Sequence, residues 1–340
     1  MKTILHIDMN SYFPAVEELL NPNLRNKPVI VGGKSRRSVV SSANYIAREY
    51  GVRAAMPMYK AIMLCPKAIV VEPNFANYQL YHDKFIELIR DNFSDKIEDS
   101  SIDECFVDIT KLVKNKSPKL IALKIQNMIK NKIGLKCSIG IAHNKFMAKM
   151  GSDFKKPLGI TQMYKEDVVS KLWPLPIGEM YMVGTATEKV LKAHGINTIK
   201  DLALSDHELL QDLLGSRWQA FLNEAHGNGD DEVVTESATP KSISSSETFL
   251  FDTNDYDTIN EAIIEHAKDV WKQLQSLKLK AKTITLSIKN PNFVVTSKSK
   301  SVPNFIKNYE ELIFILKQIY DANFIDKTIR LVGVGISKLS

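Results

Sequence analysis

The stretch Ser-Ile-Asp-Glu-Cys-Phe-Val-Asp (101–108) sets two adjacent acids, Asp103 and Glu104, between apolar flanks, with Ile97 on one side and Phe106, Val107 and Ile109 on the other. Successive strand residues point to opposite faces, so neighbouring carboxylates can serve one site only at a turn or bulge. The pattern predicts a hairpin whose bend falls near Ser100 to Asp103. A third acid, Asp8, ends a short apolar strand, Thr3 to Ile7. An isolated buried carboxylate is costly, and a hard cation is one remedy. Mg²⁺ takes carboxylate oxygen, with phosphates supplying further ligands. Two such ions about 4 Å apart activate a hydroxyl nucleophile and stabilise a leaving pyrophosphate. Taken singly, each acid reads more simply as an exposed residue on a hairpin tip. Glu98, Asp99 and Asp108 are left with that reading.

Outward from these acids, the first half of the chain mixes strands and helices. A helix from Tyr12 to Leu20 is stopped by Asn21-Pro22, and Lys27 to Val31 reads as a strand closed by Gly32-Gly33. Ser38 to Ser42 reads as a third strand, leading into a helix around Ala43 to Tyr50. Residues 77–93 carry apolar groups at helical spacing, followed by a helix from Leu120 to Ile133 and a strand from Cys137 to Ala142. This order to about residue 163 implies one α+β unit. Residues 164–227 turn helical and loop-rich, and Gly-Asn-Gly-Asp-Asp-Glu (227–232) with the polar residues to Pro240 reads as a linker. From 241 the pattern is strand, helix, two strands, helix, strand, with helices at 258–277 and 308–322. Ile284, Leu286 and Ile288 alternate with polar residues as a half-buried strand would.

The length of 340 residues accommodates two to four domains, and 44% hydrophobic content supports real cores. A net charge of +6 favours an anionic partner such as nucleic acid. Between Asp269 and Glu310 there is no acid, but there are eight lysines: 272, 278, 280, 282, 289, 298, 300 and 307. Several fall in or beside strands, so one sheet face is expected to follow a phosphate backbone through Lys278, Lys280, Lys282, Lys289, Lys298 and Lys300, with Lys241 nearby. The alternative is a solvated lysine-rich surface. Cys65, Cys105 and Cys137 show no paired spacing, which points to buried free thiols rather than a disulfide framework or a zinc site. The start MKTILHIDMN turns polar too soon for a signal peptide and no apolar run is long enough to span a bilayer, so a soluble, cytoplasmic, monomeric protein with no membrane partner is expected.

Six words, taken in order, carry a resemblance: His-Ile-Asp-Met-Asn-Ser-Tyr-Phe (6–13), Ser-Ala-Asn-Tyr-Ile-Ala-Arg (42–48), Gly-Val-Arg-Ala-Ala-Met-Pro (51–57), Ser-Ile-Asp-Glu (101–104), Gly-Ile-Ala-His-Asn-Lys-Phe-Met-Ala-Lys (140–149) and Lys-Pro-Leu-Gly-Ile (156–160). Together they resemble the Y-family, or lesion-bypass, DNA polymerases. The resemblance implies an α+β, right-hand-like polymerase: palm at 1–11 and 76–163, small fingers at 12–75, helical thumb at 164–230, linker at 231–240, and a C-terminal α/β little finger at 241–340. It implies two Mg²⁺ ions, with Mn²⁺ as an alternative, held by the catalytic carboxylates Asp8, Asp103 and Glu104 and by the carbonyl of Met9. Tyr45, Arg48 and Lys156 would grip the dNTP triphosphate, a fork, a point charge and a neutral donor suited to phosphate. Phe13 falls at the steric gate that clashes with a ribose 2′-OH. Ser41, Ser42, Ala54, Ala55 and Met56 correspond to the small-residue floor over the nascent base pair.

The implied activity is low-fidelity, DNA-templated DNA synthesis on primer–template DNA. Two other readings remain: a cyclase-like enzyme on a similar palm, or a catalytically dead DNA-binding module. Three departures from the family pattern stand out. Asn10 occupies a site where Asp is common. The thumb turn that reads Gly-x-Gly in the family is Met182-Val183-Gly184 here. The sliding clamp is a partner reached by bacterial members through a short tail. Gly-Ile-Ser-Lys-Leu-Ser (335–340) carries no such motif, so either the chain is cut short or clamp binding is absent or atypical.

Overall fold

Ile-Leu-His-Ile-Asp-Met (4–9) is buried at every position, and that double-sided burial organises the first half of the molecule. In the computed structural model, which describes residues 2–114, 116–236 and 238–340, this segment is strand β1. It is followed by β2 (Val29–Gly32), β3 (Val40–Ala43), β4 (Ile69–Val71), β5 (Ile97–Ser101), β6 (Glu104–Asp108), β7 (Cys137–Ala142), β8 (Ile160–Gln162), β9 (Ser242–Thr253), β10 (Thr283–Lys289), β11 (Val295–Ser301) and β12 (Ile329–Ser337). Contacts divide the chain into two units: Met1–Lys34 with Ser38–Ser237, and Ser35–Arg37 with Ala238–Ser340. Ser237, inside the segment expected as a linker, lies outside the described residues. Among the described residues no helix is long and apolar enough to cross a membrane.

The first unit holds a five-stranded sheet in the order β5-β6-β1-β7-β8, with β1 antiparallel to both neighbours and β7 parallel to β8. Alternation along β1 sends Leu5, Ile7 and Met9 into a core with the helices Phe75–Asn92 and Pro118–Lys132, where Tyr78, Phe85, Ile125 and Ile129 meet them. Ile4, His6 and Asp8 face the other way, toward the helix Lys145–Phe154. Asn144 caps that helix, its side chain accepting from the Met147 N–H at 2.8 Å. The hairpin expected around Ser100 to Asp103 is present: β5 and β6 pair with an irregularity between Asp99 and Ser101, leaving Ile102 and Asp103 in the turn.

Gly140 on β7 lets the helix Lys145–Phe154 come this close. A Cβ at Gly140 would stand 1.8 Å from the Ala148 carbonyl oxygen and 2.5 Å from the Ser152 nitrogen, both backbone atoms that cannot rotate away. Gly151 answers from the helix side, its absent Cβ 3.2 Å from the Gly140 Cα. The strand and helix therefore touch through bare backbone.

A smaller sheet, β3-β2-β4, packs Ile30, Val40 and Ala43 against Ala47, Met58, Ala61 and Cys65. The helix expected from Ala43 starts later, at Tyr45, because β3 runs through Ala43 and Asn44 caps the helix by accepting from Ala47 N–H at 3.0 Å. The helix Met58–Leu64 and the parallel edge strands β4 and β8 have no counterpart in the sequence reading, being too short to establish a period. Residues 165–225 form short helices over a shared core that includes Leu172, Leu191, Leu202, Leu210 and Phe221. At their Met182-Val183-Gly184 turn, Met182 takes φ +69° while Gly184 is at φ −83° with nothing within 4 Å of a Cβ. The left-handed conformation thus falls on the methionine that replaces the family's first glycine. Cys65, Cys105 and Cys137 are buried free thiols.

The second unit is an antiparallel sheet, β11-β10-β12-β9, with the helices Tyr256–Ser276 and Tyr309–Asn323 on one face. Asp255 and Asn308 cap these helices, each accepting from the N–H three residues on.

Two substitutions test this framework. Gly140→Ala should destabilise the full chain by about 1–3 kcal/mol through overpacking, read as a lowered urea midpoint at constant slope. Met182→Gly should stabilise it by roughly 0.5–1 kcal/mol, the relief of left-handed strain less the entropy that glycine adds to the unfolded chain; an unchanged or lowered midpoint would refute the strain assignment.

Candidate active site

β1 and β6 pair with Asp8 directly opposite Glu104, so both carboxylates leave the same face of the sheet, the one on which the helix Lys145–Phe154 rides. Like charges so placed repel, and Asp8 is only 4% exposed. The helix supplies the counter-charge. Lys149 Nζ lies 2.7 Å from Glu104 Oε1, 3.2 Å from Asp8 Oδ2 and 3.4 Å from Asp153 Oδ2. Lys156 Nζ also bonds Asp8 and lies 2.7 Å from Asp153 Oδ1. Beneath them, the fully buried His6 has Nδ1 2.8 Å from Ser152 Oγ and Nε2 3.5 Å from Glu104 Oε2.

Burial and the hydrogen bond with Glu104 push the Asp8 carboxyl up to about 7 despite Lys156 and Lys149. Burial opposes ionisation of Glu104 too, but His6, Asp8 and Lys149 outweigh it and hold this carboxyl below the usual range. The pair resists carrying two full negative charges, as directly opposed buried acids should.

Asp103 occupies the turn between β5 and β6. Its carbonyl accepts the Met9 N–H at 2.9 Å, fixing the turn at the end of β1, while its carboxylate accepts the Ser101 hydroxyl at 2.7 Å. Asp8 and Glu104 are therefore brought together and Asp103 is held beside them on a different partner. Among the described residues no three His, Cys, Asp or Glu side chains form a ready-made metal cluster. Met9 is buried, paired with Cys137 across β7.

Tyr45 opens the helix Tyr45–Glu49, and its hydroxyl is buried without a hydrogen-bond partner. Burial raises its pKa, and the charges acting on it are those of Arg48, Lys156, Asp8 and Asp153. The Arg48 guanidinium sits 4.8 Å over the Tyr45 ring, its Nε donating to the Ala43 carbonyl at 2.8 Å. Ser42 is half-buried on β3 opposite Val31; Ser41, Ala54 and Ala55 are exposed and Met56 is half-buried. Phe13 stacks on Tyr78 at 4.3 Å between centroids and 12° between planes, and meets the Phe75 ring edge-on at 5.8 Å. Tyr12 is the packed neighbour, 2% exposed, with its hydroxyl donating to the Tyr78 carbonyl at 2.6 Å.

Asn10, which departs from the family pattern, is held by two side-chain hydrogen bonds. Its Nδ2 donates to Ser138 Oγ and its Oδ1 accepts from Leu158 N–H, both at 2.9 Å, tying down the segment that carries Lys156.

In the second unit the lysines do not share a sheet face as expected. β11 pairs Lys298 with Leu286 and Lys300 with Ile284, so both lysines are in phase with the buried, helix-side residues, and Lys300 Nζ donates to Gln318 Oε1 at 2.7 Å. Lys280 and Lys282 flank the Phe305 ring at 5.6 and 4.7 Å, Lys278 follows the helix Tyr256–Ser276, Lys289 ends β10, and Lys241 precedes β9 exposed. The open face carries hydroxyls instead. Thr283–Ser301, Thr285–Ser299 and Ser287–Ser297 form cross-strand pairs at 2.7–2.8 Å, and Ser242, Ser244 and Ser246 continue the surface past Gly335 and Gly333.

Residues 7–153 match the impB/mucB/samB family and residues 240–340 match that family's C-terminal domain. The chain belongs to this family, that of the Y-family DNA polymerases. It is 38% identical to a DNA polymerase IV from Staphylococcus aureus, over 99% of this chain and 95% of that protein. It is 36% identical to one from Ureaplasma parvum, over 99% and 94%. Among solved structures it resembles a Y-family polymerase chimera built from Dbh and Dpo4, with a TM-score of 0.87, 26% identity, and 99% and 98% coverage. It also resembles an insertion ternary complex of Dbh, with a TM-score of 0.69, 26% identity, and 98% coverage of each chain. The fold is accordingly the right-hand-like α+β fold of Y-family polymerases, with a C-terminal sheet domain. Within it, the roles of His6, Lys149 and Asp153 went unread in the sequence. Lys149 closes the word Gly-Ile-Ala-His-Asn-Lys-Phe-Met-Ala-Lys (140–149), and its spacing from Asp153 (i,i+4) was the available signal.

Proposed function

We propose that the chain carries out DNA-templated DNA synthesis of the lesion-bypass type, joining the α-phosphate of a dNTP to a primer 3′-OH with release of pyrophosphate. The observation that carries this reading is the convergence of the opposed Asp8–Glu104 pair, Lys156 and the unpartnered Tyr45 hydroxyl on one side of the central strand. Family membership and the DNA polymerase IV relatives support it.

The donor set fits hard divalent ions: the carboxylates of Asp8 and Glu104 with that of Asp103 beside them, and the Met9 carbonyl at the same strand end, all oxygen. Asp103 would exchange the Ser101 hydroxyl for the ion. Mg²⁺, when bound, would acidify the primer hydroxyl and neutralise charge on the phosphates, and Mn²⁺ suits the same oxygens. The protein groups do the positioning. Lys156 offers the triphosphate a point charge and Tyr45 a neutral donor. Arg48 offers a fork whose plane is fixed by the bond to Ala43. Phe13, braced by Tyr78 and Phe75, presents a rigid ring against a sugar 2′-OH, discrimination by a penalty on the wrong substrate. The exposed, small Ser41, Ala54 and Ala55 leave room for a damaged template base. Residues 1–11 with 76–163, 12–75, 164–230 and 241–340 then act as palm, fingers, thumb and little finger, joined by 231–240. In the second unit, duplex phosphates meet the exposed Lys241, Lys278 and Lys280.

Primer extension with dNTPs and Mg²⁺ tests the assignment. Wild-type protein should extend a primer only on a template and lose activity to EDTA, and Asp103→Ala should cost roughly 10²–10³-fold or more in kcat. No templated extension, or full activity in Asp103→Ala, would remove the reading; nucleotide turnover without primer and template would favour a cyclase. Phe13→Ala and Phe13→Val should admit ribonucleotides with dNTP incorporation retained, and unchanged sugar selectivity would unseat the gate.

A further inference from the structure

Lys149 makes ion pairs with three carboxylates, yet its side chain is only 10% exposed. Lys156, by contrast, is 27% exposed and lies beyond the end of the helix Lys145–Phe154, where a ligand can reach it. The charge of Lys149 is spent internally, on the same Asp8 and Glu104 carboxylates that the proposed function assigns to divalent ions. An oxygen lone pair cannot both receive an ammonium proton and coordinate a cation, so the two uses compete.

We propose that Lys149 is a built-in monovalent stand-in for the catalytic cation, holding Asp8 and Glu104 together in the metal-free enzyme and giving way to Asp153 when a divalent ion binds. This inference rests on the reading of those carboxylates as a metal site. Three features carry it. The register forces Asp8 and Glu104 into direct opposition, so a cation in contact with both carboxylates relieves their repulsion. The helix bearing Lys149 is pinned to β7 through the Gly140 contact, which leaves the flexible lysine side chain, rather than the helix, as the part that moves. Asp153, one turn along and already 3.4 Å from Nζ, offers the retreating ammonium a partner toward the solvent side of the helix. His6 bounds the movement from below, since its ring fills the space between Glu104 and Ser152. Lys149 therefore acts through the carboxylates as a positioning residue, setting how tightly the free enzyme binds metal.

The test is Mn²⁺ binding to the full-length chain without DNA or nucleotide, followed by the paramagnetic signal of the free ion, in wild type, Lys149→Met and Lys149→Arg. Removing the competing charge should tighten binding of the first Mn²⁺ by about tenfold in Lys149→Met, while Lys149→Arg stays within about twofold of wild type. Lys149→Met should also have a lower thermal midpoint than wild type in EDTA and gain more from Mg²⁺. Equal or weaker Mn²⁺ binding in Lys149→Met overturns the inference while leaving the metal site intact. Wild type that binds no Mn²⁺ at all overturns both. Should Lys149→Met fail to fold, the lysine ammonium spectrum of ¹⁵N-labelled wild type decides. The protected Lys149 signal, assigned by its loss in Lys149→Arg, should shift or broaden when Mg²⁺ saturates the protein, and an unchanged signal overturns the inference.

Discussion

Two acids facing each other across the centre of a sheet, one of them almost wholly out of water, are the constraint to which the rest of the first unit answers. Register alone places Asp8 against Glu104, and neither can be moved without shifting the side chains of β1 to the wrong face. The surrounding architecture supplies the compensation. A helix is brought unusually near by glycines on both partners, its lysine reaches both carboxylates, and a second lysine follows just past its end. A structure that needed only stability would have used apolar residues here, since burying ion pairs gains little. Their retention suits the proposed function, in which these carboxylates take up further positive charge.

How much of this was legible in the sequence depended on the range of the interaction. The Asp103-Glu104 turn followed from strand alternation, and the long helices from their periodicity, because both are local rules. The helix starts at Tyr45 and Tyr256 shifted by a residue or two because capping by Asn44 and Asp255 decides them. The roles of His6 and Lys149 were illegible for a different reason. A lysine on an amphipathic helix ordinarily points to solvent, and only the packing of Ala148 and Ser152 onto Gly140 turns this one inward. Asn10 was likewise visible only as a departure until its two bonds, to Ser138 and Leu158, showed what its side chain ties together.

The second unit shows where composition misleads. A run of forty residues without an acid suggested a lysine-studded sheet, but counting charge says nothing of phase. On β11 the lysines alternate with serines, and the pairing with β10 decides which set faces outward. Cross-strand pairing therefore paves the open side with short hydroxyl groups, leaving the ammonium groups to the edge, the helix side and the loops.

The methionine at the 182 turn bears on how the family's motifs are recognised. Its backbone adopts the left-handed angle that a glycine would take for nothing, so the shape of the turn outlives the residue that usually announces it. A search that demands the glycine would discard this turn, whereas one that compares dihedral angles would keep it. Where a backbone path is enforced from both ends by buried neighbours such as Met180 and Leu191, the letter code drifts before the geometry does.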